Sequence, residues 1–139
     1  MNVKVGIFGV GLDTYWGQFA GLLDRLNGYQ QAIAEKMTAL GAEVANAGMV
    51  DCPEKSHEAA VFFKKEDVQI VFLFISTYAL SSTVLPVVRQ LGVPVIVLNI
   101  QPVPAIDYAA VNALKDKGKM TGEWLAHCQA CSLPEFAAV

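Results

Sequence analysis

The sequence predicts a three-layer α/β domain, an open parallel sheet with helices on both faces. Strand-like and helix-like segments alternate along the chain with short connections, the pattern of right-handed β–α–β crossovers. One segment, Val68 to Ile75, is almost continuously apolar, as a central parallel strand covered on both faces must be. The whole chain is 139 residues, 54% hydrophobic and 17% charged, which fits one domain with a substantial core and excludes disorder.

The elements follow in order. Val3, Val5, Ile7 and Val10 supply strand-forming bulk for a first strand over 3–9, and Gly9, Gly11 and Gly17 let the chain after it turn tightly. One helix or two consecutive ones cover about 18–40, with Ile33, Met37 and Leu40 on one face, Gly41 as the stop and Asn27-Gly28 as the expected break. A second strand over 43–49 leads to Asp51-Cys52-Pro53, a turn and helix start. The helix that follows reaches Lys65 and is expected to bury Ala59, Val61, Phe62 and Phe63. The third strand ends at Ser76-Thr77-Tyr78, and a helix over 81–91 carries Pro86 inside it, an expected kink. A β-branched fourth strand over 93–99 precedes a proline-punctuated loop, then helical stretches over about 108–115 and 121–131. Four to five strands in the flavodoxin/Rossmann-like order 2-1-3-4 are expected.

In such a sheet ligands bind outside the carboxyl ends of the strands. The loops after strands one, three and four bring Asp13/Tyr15/Trp16, Ser76/Thr77/Tyr78 and Asn99/Gln101/Asp107 to that edge. A carboxylate, a phenol and an indole in one loop suit a polyol, because ring faces cover C–H groups while polar tips bind hydroxyls. A dinucleotide site is disfavoured: Gly9-Val10-Gly11 has no third glycine three residues on, and Asp13 would face a pyrophosphate. Asp13 has a competing role as a helix cap.

Other chemistry is weaker. Cys128 and Cys131 form a Cys-x-x-Cys with Cys52 as a third thiol, but the second pair of a zinc site is missing. On a helix the two cysteines read as small packing residues. His57 lies on a polar helix face, and His127 reads as structural rather than acid–base. Three cysteines make no disulfide framework. A net charge of −3 with no basic cluster beyond 115–119 argues against nucleic acid. No apolar run has bilayer length and the start lacks signal-peptide architecture, so no membrane association and a cytoplasmic location are expected. The charged fraction falls below the roughly 25% of ordinary domains, which suggests surface buried against other subunits or domains.

Three segments in order resemble the amino-terminal domain of the L-arabinose isomerase / L-fucose isomerase superfamily. Gly11-Leu12-Asp13-Thr14-Tyr15-Trp16-Gly17 resembles the Gly-Ser-Gln-His-Leu-Tyr-Gly loop of arabinose isomerases. Leu98-Asn99-Ile100-Gln101-Pro102, with Ile106-Asp107-Tyr108, is similar to the family's His-Thr-Gln loop and following Ile-Asp. His127 to Phe136 resembles an Asn-Gln-Thr-Ala-His segment ending in Arg-Glu-Phe.

The resemblance spans the chain and implies an aldose–ketose isomerase working through a cis-enediol, with manganese or another divalent metal and paired glutamates. In the family those groups lie in later domains. The resemblance therefore implies that residues 1–139 are one amino-terminal domain of a longer sugar isomerase, without catalytic residues or metal of its own. Such a domain lends sugar-contacting groups to a neighbouring subunit of a homo-oligomer, here Asp13, Tyr15, Trp16, Gln101 and Gln129, and is inactive alone. The end at Glu135-Phe136-Ala137-Ala138-Val139 reads like the start of another element. Asp13 and Thr14 replace a glutamine and a histidine, which puts arabinose itself in doubt. The alternative is a flavodoxin-like module binding a sugar or effector without catalysis. A cobalamin or flavin domain is disfavoured for want of Asp-x-His-x-x-Gly and of a Ser/Thr-rich loop after strand one.

Overall fold

A computed structural model describes residues 3–127. Four strands form the sheet: β1 (Lys4–Val10), β2 (Glu43–Val50), β3 (Ile70–Ile75) and β4 (Val95–Leu98). All neighbours run parallel in the order β2-β1-β3-β4, the expected topology. The helices are α1 (Thr14–Gln18), α2 (Leu22–Ala39), α3 (Pro53–Lys65), α4 (Ser81–Leu91), α5 (Tyr108–Asn112) and α6 (Lys117–His127). Among the described residues no helix is long and apolar enough to cross a membrane.

The period-two alternation of the strands sorts the core. Phe8 and Val10 of β1 and Val71, Leu73 and Ile75 of β3 meet Ala59 and Phe63 of α3 and Val84 and Val87 of α4 on one face. On the other face α2 buries Leu22 and Leu26 against Met49, with Ala126 of α6 in the same cluster. Glycine allows the closest approach: a Cβ on Gly6 would stand 2.8 Å from Phe63 Cε1.

Three local expectations are corrected. The long helical segment breaks at Phe19–Gly21, where Gly21 adopts φ +81°, while Asn27 and Gly28 run exposed through α2. Val61 is 55% exposed, because the buried face of α3 is Ser56, Ala59, Ala60 and Phe63 at helical spacing and residue 61 points away from it. The fourth strand is short and open, with Ile96 and Val97 exposed at the sheet margin. Pro86 is the middle residue of α4, which continues past it to Leu91.

β2, the other margin, is interrupted. Its register against β1 shifts between Asn46 and Met49, and Gly48 takes φ +74°. The Asn46 carboxamide accepts from Gly48 N–H (3.0 Å) and from Gln30 Nε2 (2.7 Å), so the extra residue is held in place.

At the amino end of β1, Lys4 Nζ bridges Glu66 (2.8 Å) and Glu43 (3.2 Å). Its hydrogen bond, then its charge, holds the Glu66 carboxyl below the usual carboxylate range, and the Lys4 ammonium is raised in return, mainly by Glu66. The Glu66 contribution is therefore present above the unfolded carboxylate pKa and lost as pH falls through the lowered folded value. The Lys4 contribution is present below the ordinary lysine value and lost as pH rises through the raised one. Glu66→Gln should have a lower urea midpoint than the unsubstituted chain at neutral pH, by a small and salt-sensitive amount. The difference should close on acidification; a gap that persists in acid excludes this linkage.

Candidate functional site

The loop after β1 folds back upon the domain. Asp13 is exposed and caps α1, its Oδ1 accepting from Thr14 N–H at 2.7 Å. Tyr15 is half-buried and meets Phe19 edge-on, ring centroids 5.6 Å apart. Trp16 lies over Gly11, where a Cβ would come within 2.7 Å of its ring, and its Nε1–H donates to Asp51 Oδ2 at 2.8 Å. Asp51 is only 4% exposed, and Lys55 Nζ, 2.8 Å away, supplies the countercharge. The indole N–H is thus engaged within the protein, and Trp16 serves chiefly to fasten the loop to the end of β2. What the loop offers a ligand is the Asp13 carboxylate and the exposed parts of the two rings.

The loop after β3 is structural where a polar shelf was expected. Ser76 is fully buried and its Oγ donates to the Val10 carbonyl at 2.6 Å, tying the ends of β1 and β3 together. Thr77, 2% exposed, donates through Oγ1 to the Tyr78 carbonyl at 3.0 Å. A hydroxyl at the end of a central strand satisfies local carbonyls that no helix or strand reaches. After β4, Asn99 and Gln101 are exposed, and Asp107 caps α5 by accepting from Ala110 N–H at 2.9 Å. Gln129, Cys128 and Cys131 lie outside the described residues. His57 is exposed, with Nδ1 3.2 Å from Gln90 Nε2, and Cys52 is a half-buried free thiol before α3.

The best-formed hollow is a half-open cavity of about 480 Å³ between the start of α2, α5 and α6. Leu22, Val111, Leu114 and Ala126 give it an apolar floor, while Arg25, Lys119, Asp107, Glu123 and His127 supply charged and polar groups. Arg25 is ion-paired with Glu123 of α6; that hydrogen bond leads the causes that raise the guanidinium's already high pKa. His127 Nδ1 is shut off from solvent with no hydrogen-bond partner. The cavity opens where α2 begins, and Gly21 there brings no side-chain cap to the first N–H groups.

Asp107, one of the expected shelf residues, and His127, read from the sequence as structural, line this cavity; Asp13, Tyr15, Trp16 and Gln101 do not. Arg25, Lys119 and Glu123 escaped the sequence reading. Arg25 and Glu123 are 98 residues apart and form an ordinary charged pattern on their own helices, so no local signal joins them. Lys119 was visible only as part of the basic run 115–119.

The donor set does not suit manganese. Asp107 and Glu123 are the carboxylates of the cavity, one committed to a helix cap and the other to Arg25, and two cations lie beside them. Among the described residues no three His, Cys, Asp or Glu side chains are grouped to hold a metal ion. The chemistry this arrangement can perform is binding and orientation: an apolar floor for a carbon skeleton and charged rims for its polar groups.

Fold and cavity together define a parallel α/β domain with a half-open cavity between the start of α2, α5 and α6. No profile of a known protein family matches the chain, and no curated protein sequence matches it.

Proposed function

We propose that this chain is the amino-terminal, sugar-contacting and oligomerising domain of a metal-dependent aldose–ketose isomerase of the L-arabinose/L-fucose type, a cytoplasmic enzyme of carbohydrate metabolism. The proposal rests on the ordered resemblance of three segments. The observation that carries it into three dimensions is the cavity of about 480 Å³ beside the β1 loop. Its size suits a monosaccharide, with hydroxyls meeting Arg25, Lys119 and Asp107 and C–H groups meeting the apolar floor. On this reading manganese and the proton-transferring glutamates reside in other domains, and the isolated domain turns over no sugar.

Amide-resolved NMR titration with neutral aldoses, ketoses and deoxy sugars tests the reading. Shifts confined to the cavity lining and to the loop 11–18 are expected, with weak affinity. Arg25→Met, which also frees Glu123, should reduce that affinity by about ten-fold, the usual worth of one charged hydrogen bond. A panel that leaves those amides unmoved rejects sugar contact by this domain.

A second reading, a binding module for a charged effector, is favoured by the two cations, Arg25 and Lys119, that line the cavity. Sugar acids or sugar phosphates would then move the same amides while neutral sugars would not.

A further inference from the structure

The charged groups lining the cavity between α2, α5 and α6 are not equally committed. Arg25 of α2 and Glu123 of α6 are ion-paired and cancel each other. The Nδ1 atom of His127 is shut off from solvent. Two groups remain. Among the described residues the Lys119 ammonium has no ion-pair or hydrogen-bond partner. Asp107 spends only Oδ1, which accepts from Ala110 N–H at 2.9 Å, and its second oxygen is uncommitted.

These two groups come from different elements and do not pair with each other. Asp107 is held at the start of α5 by its cap. Lys119 stands in the first turn of α6, where its main-chain N–H donates to Asp116 Oδ1 at 2.9 Å. Both residues are exposed, which places them at the rim, and the flexible lysine side chain can follow a ligand. The floor is apolar and closed: Leu22, Val111 and Ala126 are 3%, 6% and 1% exposed. The cavity therefore offers one unspent positive charge, one unspent negative charge and a hydrocarbon surface.

We infer that the cavity binds a free α-amino acid with an aliphatic side chain. Its carboxylate meets Lys119, its ammonium meets the free oxygen of Asp107, and its side chain lies on Leu22, Val111 and Ala126. In such a molecule both charges sit on one carbon and the side chain leaves from that carbon. One pose thus puts the charges at the rim and the hydrocarbon on the floor. A neutral polyol hydrogen-bonds both groups but cancels neither charge. A sugar acid cancels Lys119 and sets its own negative charge near Asp107 and Glu123, whereas a zwitterion meets each group with the opposite sign. The inference rests on the reading of this cavity as the ligand site of the domain and gives the charged effector a chemical class.

Amide-resolved NMR titration with L-leucine tests it, at mildly acid pH where amines are protonated. Isocaproate, which lacks the ammonium group, L-leucinamide, which lacks the carboxylate, and D-gluconate, a sugar acid, are titrated beside it. Leucine should move the amides of the cavity lining, and each truncated analogue should bind at least about ten-fold more weakly. Lys119→Met should weaken leucine and isocaproate by about ten-fold but not leucinamide. Asp107→Asn, which keeps an oxygen to cap α5, should weaken leucine and leucinamide but not isocaproate. Gluconate or an aldose that moves these amides where leucine does not overturns the inference and leaves the cavity standing as a ligand site. A chain in which none of the compounds moves them overturns both. Leucine binding that is indifferent to both substitutions also overturns the inference.

Discussion

Replacing Phe63 by alanine should lower the free energy of unfolding by about 3–5 kcal/mol, the largest single effect expected in this domain. The ring is fully buried and stands at the centre of the α3 face, 6.1 Å from Phe8 and 5.6 Å from Phe62 between centroids. It also fills the space that Gly6 leaves over β1. Truncation removes this packing, and neither the strand beneath nor the helix behind can move in to close the hole. Urea unfolding followed by circular dichroism measures the change. Gly6→Ala is the converse test, since its methyl would press on the same ring and is expected to cost about 1–3 kcal/mol. A loss below about 1 kcal/mol for Phe63→Ala would mean that the site collapses and that the α3 face is not rigidly packed.

Asp51→Ala should be the most costly change near the β1 loop, at about 2–3 kcal/mol. The Asp51 carboxylate is buried, accepts from the Trp16 indole N–H and pairs with Lys55, so its loss releases the loop 11–18 and exposes the indole. Lys55→Met should cost less, about 1 kcal/mol or below, because the Lys55 side chain is half-exposed and its attraction to Asp51 is screened by water. The contrast is the test: unfolding free energies of the two variants should separate, and Asp51→Ala alone should shift tryptophan emission to the red. Equal losses would mean that the ion pair, rather than the indole hydrogen bond, holds the loop. If the loop contributes to sugar binding, Asp51→Ala should also weaken the NMR-detected interaction without altering the cavity lining.

The order of elements was legible in the sequence because each strand announces itself locally. Val68 to Ile75 is apolar at every position but Gln69, and a segment of that kind is stable only when both its faces are covered. Short links between alternating strands and helices then leave right-handed crossovers, and the strand order follows. Boundaries inside the helices were less legible. The break at Gly21 rather than Asn27-Gly28 depends on a left-handed backbone that either glycine could adopt. Val61 misled because its type says apolar, while its position on α3 is set by rotation about the helix axis.

The candidate site was legible only in outline. The β1 loop, the carboxyl edge and Asp107 were readable, since glycine spacing and sheet topology are sequence-local properties. The engagement of Trp16 with Asp51, the burial of Ser76 and Thr77 and the pairing of Arg25 with Glu123 were not. Each is a contact between distant segments, and a polar side chain carries no mark of whether its partner will be a ligand or the protein itself.

By itself, then, the sequence determined the parallel sheet, its order and the edge at which a ligand would be held, because hydrophobic periodicity and loop length act along the chain. Only the tertiary structure decided which polar groups remain available at that edge. It also decided that β2 carries a residue insertion at Gly48 and that β4 is the short outermost strand among the described residues. Those outcomes depend on which distant groups meet across the fold, and hydrogen bonds and ion pairs between them form only once packing has brought them together.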